Sequence, residues 1–289
     1  MFKRLGIVGA GTMGASIAQL AALMNVEVLL YDINDTILRL ALDRIKTDLR
    51  RRVQHGTLTA EQSSETLSRL HSRTSVSELS HCDFVLEAIV EDLRVKRDLF
   101  KHLDAHTKST AVLATTSASL PVTAIAGLAR YQERIVGMHF FNPVSGSKLV
   151  EIARGHKTGD SAVQTASEFA LFLEKQPIVV KDTPGFVVNR TVHPFFSESL
   201  QIVEEGVAEP QQVDRIMKAL GGYPVGPFEA MDADGTDAHL DAAKGLFAQF
   251  FGEPRFRPHP LQERMVEAGL LGKKTGRGFL AYDENTNDK

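Results

Sequence analysis

The stretch Gly9-Ala10-Gly11-Thr12-Met13-Gly14 constrains the fold of this chain more than any other. It follows the apolar run Leu5-Gly6-Ile7-Val8 and opens a segment with apolar residues at Met13, Ile17, Leu20, Ala21 and Met24. That pattern reads as strand, glycine turn, helix. Each glycine has a separate use: one for the sharp bend, one for close approach of backbone to a pyrophosphate, one for packing helix against strand. The N–H groups of the helix start then face the phosphates, with the positive end of the helix dipole behind them. A second apolar strand, Val26 to Tyr31, ends in Asp32, 23 residues after Gly9. A carboxylate there accepts the ribose hydroxyls of an adenosine and repels a 2′-phosphate, so the pattern predicts NAD rather than NADP. A nucleotide-triphosphate loop is excluded, because Ala15-Ser16 stand where Lys-Ser/Thr is needed.

A long helix is predicted from about Asp35 to Val53, ending in Arg50-Arg51-Arg52. Such a run suits a solvated helix end that complements the dipole. It suits equally a docking point for an anionic carrier such as the phosphates of coenzyme A, and the sequence leaves both open. Thr59 with Gln62 predicts a capping box opening a second helix to about Leu70. Phe84 to Ile89 reads as a buried parallel strand with Val90-Glu91-Asp92 at its exit, where ligands bind in open α/β sheets. A helix from about Leu93 to His102 carries Lys96, and a short strand over Ala111–Ala114 breaks into Thr115-Thr116-Ser117-Ala118-Ser119.

Arg134 to Phe140 is an apolar strand delivering His139 to its end, with Asn142 just beyond. A short connection leads to a second strand, Leu149-Val150-Glu151-Ile152. Two strands joined by a turn can bring His139 and Glu151 together, the carboxylate fixing the ring tautomer and leaving one nitrogen as a base. Taken alone, His139 is more often a core histidine. There is no H-E-x-x-H, no Cys/His cluster and no G-x-S-x-G elbow, which excludes the metal and serine-nucleophile readings. A helix over about Ser161–Glu174 and a strand at Ile178–Val180 finish the sheet.

Lys181-Asp182-Thr183-Pro184-Gly185 punctuates the chain. Past it the pattern is helical, over about Val187–Gly206, Pro210–Leu220, Ala238–Phe251 and Pro260–Ala268. The reading is an α/β doubly wound sheet of Rossmann type with an inserted helical pair, residues 1–183, and an all-helical C-terminal domain, residues 184–289. Its apolar stripes predict a homodimer. Asn189 sits on the first turns of the helical domain, where it could reach across the cleft, and Gly272 to Phe279 forms a basic glycine-rich loop. A composition of 43% apolar and 24% charged residues with net charge −3 argues against a nucleic-acid partner. The lone Cys82, the absence of a membrane-length apolar run and a first strand starting beside Met1 predict a cytoplasmic protein.

Several stretches together resemble the short-chain 3-hydroxyacyl-CoA dehydrogenases, including the bacterial 3-hydroxybutyryl-CoA dehydrogenases. They are Gly9–Gly14 with Asp32, Leu86–Asp92, Gly137–Pro143, Leu149–Ile152, Lys181–Arg190, Tyr223–Phe228 and Gly272–Phe279. The resemblance implies NAD-dependent oxidation of a 3-hydroxyacyl thioester to the 3-ketoacyl thioester, and the reverse. It implies His139 as base, Glu151 as its orienting partner and Asn189 as a substrate-positioning residue. It also implies that Glu91, Lys96, Asn142 and Lys274 contact NAD.

One departure stands out. The family's stretch usually begins Asn-Thr-Ser, and the place of its substrate-contacting serine is held here by Ala118, that of the asparagine by Thr116. Ala118 donates no hydrogen bond, which keeps other readings in play. They are a carrier-protein thioester, a small free hydroxy acid, or a dinucleotide-binding protein without catalysis.

Overall fold

A computed structural model describes residues Phe2–Tyr282, so residues 283–289 of the expected helical domain lie outside it. The chain divides into two compact units, Met1–Phe186 and Val187–Lys289.

The first unit is built on one eight-stranded sheet in the order β3-β2-β1-β4-β5-β6-β7-β8. The strands are β1 (Arg4–Val8), β2 (Glu27–Tyr31), β3 (Leu70–Arg73), β4 (Phe84–Glu87), β5 (Val112–Thr115), β6 (Ile135–Phe140), β7 (Leu149–Arg154) and β8 (Gln176–Lys181). All neighbours pair in parallel except β6 and β7. The chain winds outward from β1 to β3 on one side, then returns to the other side of β1 with β4. That reversal between β1 and β4 opens the crevice where doubly wound sheets take ligands. Strands β4, β5 and β6 are buried along their whole length, as a parallel sheet covered on both faces requires.

Helix α1 (Thr12–Leu23) packs with α2 (Asp35–Gln54) over this sheet. Ile17, Ala18 and Ala21 of α1 and Leu38, Ala41, Ile45 and Leu49 of α2 share one apolar core with β1 and β2. The helical pair follows its sequence signals. Asn34 caps α2 by accepting from the Thr36 amide, and Thr59 and Gln62 form the capping box of α3 (Ala60–Ser68). One expectation needs correction: Leu70 does not end a helix but begins strand β3. Four residues at a sheet edge, of which Leu70 alone is buried, carry too little periodicity to announce a strand. The crossovers continue with α4 (Leu93–His106), the single turn α5 (Val122–Ile125) and α6 (Asp160–Phe172).

In the second unit the helices are α7 (Val188–Glu204), α8 (Pro210–Ala219), α9 (Pro227–Asp234), α10 (Thr236–Gln249) and α11 (Pro260–Glu267). Leu200, Val213, Phe228 and Met231 form its core. Helix α9 escaped the sequence reading, although Pro227 at its first position and the Glu229 side chain bonded back to the Gly226 amide are both start signals. Among the described residues no helix is long and apolar enough to cross a membrane.

Candidate active site

The glycine turn has the shape a dinucleotide needs. Gly9 sits at φ 101°, where a side chain is strained, and a Cβ there would lie 2.4 Å from the Ala88 carbonyl of the neighbouring β4 exit. A Cβ on Gly14 would fall 1.9 Å from the Gly9 carbonyl, so only glycine lets α1 close onto the turn. At Gly11 a Cβ would meet nothing within 4 Å. The backbone there faces open space at the N-terminus of α1, beside Thr12 and Met13, as an approaching pyrophosphate requires. Asp32 closes the turn from the side: its Oδ2 accepts the Ala10 amide at 2.9 Å and its Oδ1 the Asn34 amide at 3.1 Å. The residues present therefore fit the dinucleotide that the sequence predicts.

The ends of β4 and β5 carry a buried charged network beside that turn. Glu87 accepts from Lys96 Nζ at 2.5 Å, from Thr115 Oγ1 at 2.7 Å and from the Ile89 amide at 2.8 Å. The Lys96 side chain is 1% exposed, and its ammonium lies 3.3 Å from Glu91 as well. Glu91 in turn clasps the loop after β5. Its Oε1 accepts from Ser117 Oγ at 2.5 Å, from Ser119 Oγ at 2.9 Å and from the Ser119 amide at 3.2 Å. Burial alone would push the Glu91 carboxyl up. The Lys96 charge and the two serines outweigh it and hold the group below the ordinary carboxylate range. Sequence reasoning placed Glu91 and Lys96 at the cofactor but missed this clasp, which joins residues 26 and 28 positions apart. The hydroxyls on either side of Ala118 are thus both committed to Glu91.

The antiparallel step from β6 to β7 sets His139 directly opposite Glu151. Gly137, two residues earlier, makes that step close: a Cβ there would lie 2.8 Å from the Ala153 Cβ. His139 Nδ1 and Glu151 Oε2 are 2.8 Å apart, with both residues buried. Phe141 and Phe186 flank the imidazole, their ring centroids 4.4 and 6.0 Å from it. An ionised carboxylate on Nδ1 fixes the tautomer and leaves Nε2 for proton exchange. Asn142 follows directly after β6 and is exposed.

A cavity of about 360 Å³ runs between α1 and α2, lined among others by Gln19, Arg44, Asp48, Arg51, Arg52 and Pro143. Leu20, Leu23 and Ile45 give it an apolar wall. Asp48 holds Gln19 Nε2 at 2.6 Å and Arg51 Nη2 at 2.8 Å, with Arg52 at 3.8 Å. Two arginines of the helix-end run therefore face a cavity, while Arg50 is exposed.

In the second unit Asn189 is half-buried on the first turn of α7. Lys274 reaches both carboxylate oxygens of Asp237, at 2.5 and 2.6 Å. The glycine-rich loop around it is anchored by the fully buried Asp232, which accepts the amides of Phe279 and Leu280 at 3.0 and 2.8 Å. A Cβ on Gly278 would lie 2.1 Å from that carboxylate, so one glycine of the loop is needed for packing.

Comparison with known proteins bears on the whole chain. The model of the 3-hydroxyacyl-CoA dehydrogenase NAD-binding domain matches residues 4–183, and that of the C-terminal domain matches residues 185–282. A probable 3-hydroxybutyryl-CoA dehydrogenase of Deinococcus radiodurans is 40% identical over 279 residues, 96% of this chain and 100% of that one. The 3-hydroxyadipyl-CoA dehydrogenase of Escherichia coli is 40% identical over 281 residues, covering 97% of this chain and 59% of its own length. The crystal structure of an (S)-3-hydroxybutyryl-CoA dehydrogenase from Ralstonia eutropha, 36% identical, matches with a TM-score of 0.92 over 98% of this chain and 100% of that one.

Proposed function

The chain belongs to the 3-hydroxyacyl-CoA dehydrogenase family, and we propose that it interconverts a 3-hydroxyacyl-CoA and the 3-ketoacyl-CoA on NAD, with His139 as the base. The 2.8 Å pairing of His139 with Glu151 carries this reading. NAD would be held by the glycine turn and Asp32 and would supply the hydride acceptor for C3. His139 takes the proton of the 3-hydroxyl on Nε2, and Glu151 steadies the imidazolium through Nδ1. In reduction His139 returns that proton to the C3 oxygen. Phe141 and Phe186 keep water from the ring, which strengthens the pairing. The turn Gly9-Ala10-Gly11-Thr12-Met13-Gly14 receives the pyrophosphate at the start of α1, with the Gly9 and Ala10 amides given to Tyr31 and Asp32, and Asp32 takes the adenosine ribose. Asn142, Glu91, Lys96, Asn189 and Lys274 complete the proposal from the family resemblance. For Lys96 the support is to Glu91, since its ammonium is spent on the two glutamates.

The groove between α1 and α2 favours coenzyme A over a carrier protein. Its apolar wall suits a pantetheine arm, and Arg51 and Arg52 suit its phosphates. The relatives named for CoA thioesters give the free-acid and non-catalytic readings no support. A homodimer belongs to the same proposal, supported by Val207, Ile216, Leu220 and Phe251, large apolar residues exposed on the helical unit. So does the cytoplasm, supported by a lone unpaired cysteine.

The test is NADH oxidation by the purified protein across 3-ketoacyl-CoAs of increasing length, with the matching free acids and pantetheine thioesters beside them. Turnover of the CoA thioesters alone, cut about a thousandfold by His139→Gln, is the expected result. NADH binding with no turnover of any thioester would overturn the proposal.

A further inference from the structure

Arg44 lies on α2 and, as helical side chains do, leans back toward the helix N-terminus. There its Nη2 donates to the Ala10 carbonyl at 3.3 Å. The amide of that same residue donates to Asp32 at 2.9 Å. One residue of the glycine turn thus holds a carboxylate through its N–H and a guanidinium through its C=O. Three other basic side chains toward the end of α2 are engaged differently: Lys46 pairs with Asp43, and Arg51 and Arg52 pair with Asp48, while Arg50 is exposed and lines no cavity with Arg44. Arg44 makes no ion pair among the described residues and is exposed, and its planar guanidinium suits a phosphate. A single long bond to a neutral carbonyl holds it weakly, and an anion would recruit it readily.

We propose that Arg44 binds the adenylate half of the dinucleotide, and that the preference for NAD over NADP therefore rests on Asp32 alone. In dinucleotide folds the acid at the end of the second strand reads the ribose hydroxyls, and an arginine near it is the group that accommodates a 2′-phosphate. This chain has both at Ala10. With NAD the guanidinium faces the adenylate phosphate and Asp32 the ribose. A 2′-phosphate would be attracted by Arg44 and repelled by Asp32, which two backbone amides hold in place. The inference rests on the dinucleotide site at the glycine turn. Arg44 also lines the groove assigned to coenzyme A, so the measurement must leave the thioester out.

Dissociation constants for NADH and NADPH, measured by calorimetry without any thioester, decide the matter. The proteins are the wild type, Arg44→Met, Arg44→Gln, Asp32→Asn and Asp32→Asn with Arg44→Met, each first checked by its melting curve. Arg44→Met and Arg44→Gln weaken NADH binding about threefold to tenfold. Asp32→Asn tightens NADPH binding at least about tenfold, and adding Arg44→Met removes that gain. The proposal is overturned if both Arg44 variants leave NADH binding within about twofold of wild type. It is overturned equally if Asp32→Asn gains nothing for NADPH, or if the double variant keeps the gain. A wild type that ignores NADH altogether would refute the dinucleotide site itself, and this assignment with it.

Discussion

Replacing Glu151 with glutamine removes a charge and leaves the shape. The carboxylate lies 2.8 Å from His139 Nδ1 with both side chains almost fully covered, 2% and 8% exposed. Taking charge centres about 4 Å apart at an effective dielectric of about 20, the imidazolium gains about 4 kcal/mol from Glu151. A neutral amide oxygen on the same nitrogen recovers about 1 kcal/mol. The remaining 3 kcal/mol or so predicts a fall in kcat of about a hundredfold for Glu151→Gln. KM should barely move, because Glu151 is buried behind the histidine and acts through it. His139→Gln alone should cost more, about a thousandfold, since it removes the proton acceptor itself. The informative measurement is the double variant, followed by NADH formation from 3-hydroxybutyryl-CoA at saturating NAD, the direction in which the imidazolium forms. If Glu151 acts only through His139, the double variant is no slower than His139→Gln by more than about threefold. A further hundredfold drop would mean that Glu151 reaches the reaction by its own route. An unchanged kcat in Glu151→Gln, with melting curves intact, would refute the electrostatic reasoning outright.

The remaining predictions concern the turn, the helical unit and the thiol. Gly14→Ala drives a Cβ to 1.9 Å from the Gly9 carbonyl, so NADH binding should weaken by at least about tenfold and the melting temperature should fall, the cost of overpacking being about 1–3 kcal/mol. His193 is buried on α7, and burial, reinforced by His239, lowers its pKa from 6.5 to about 4. The unfolded chain takes a proton from about pH 6.5 downward that the fold refuses until about pH 4, so stability is lost as pH falls through that window, by about 2 kcal/mol at pH 5. Urea melts at pH 7 and pH 5 measure that loss, and His193→Gln should flatten it; an equal loss in the variant would assign it elsewhere. Burial pushes the Cys82 thiol up to about 12, so iodoacetamide should leave it unmodified at pH 8 until urea opens the fold, and rapid labelling of the native protein would contradict that.

Local spacing made much of this architecture legible. The strand, glycine turn, helix and second strand ending in Asp32 form one continuous segment, in which Gly9 and Gly14 answer steric demands and Gly11 leaves its side open. The capping box at Thr59 and Gln62 is likewise a contact within a single turn. The histidine and glutamate were half legible. A hairpin can bring them together, but only the register of β6 against β7 puts them opposite rather than one residue off, on opposite faces. Strand β3 was not legible, because Leu70-His71-Ser72-Arg73 becomes a strand by pairing with β2 rather than by any pattern of its own. Arg44 was equally silent, since a lone arginine on an amphipathic helix says nothing about the carbonyl its tip will find 34 positions away.

Ala118 joins the two kinds of information. The hydroxyl missing at Ala118 has candidate substitutes on either side, Ser117 and Ser119. Their commitment to Glu91 changes that reading. Ser117 Oγ is buried, bonded to Glu91 and also accepting the Leu120 amide at 2.9 Å. Releasing it would leave a charged acceptor short of a partner, at about 1–3 kcal/mol for a charge-assisted bond. Ser119 carries less of the loop, but its amide and hydroxyl hold the same oxygen. Neither hydroxyl can therefore serve the C3 oxygen without unclasping the loop that Lys96 and Glu91 hold beside the glycine turn. Restoring the hydroxyl by Ala118→Ser adds a donor without touching that clasp. On acetoacetyl-CoA it should raise kcat by about tenfold or more, the worth of one hydrogen bond made to developing negative charge. No gain would mean that His139 alone supplies the polar contact to the C3 oxygen, and that the loop after β5 shapes the site only through Glu91.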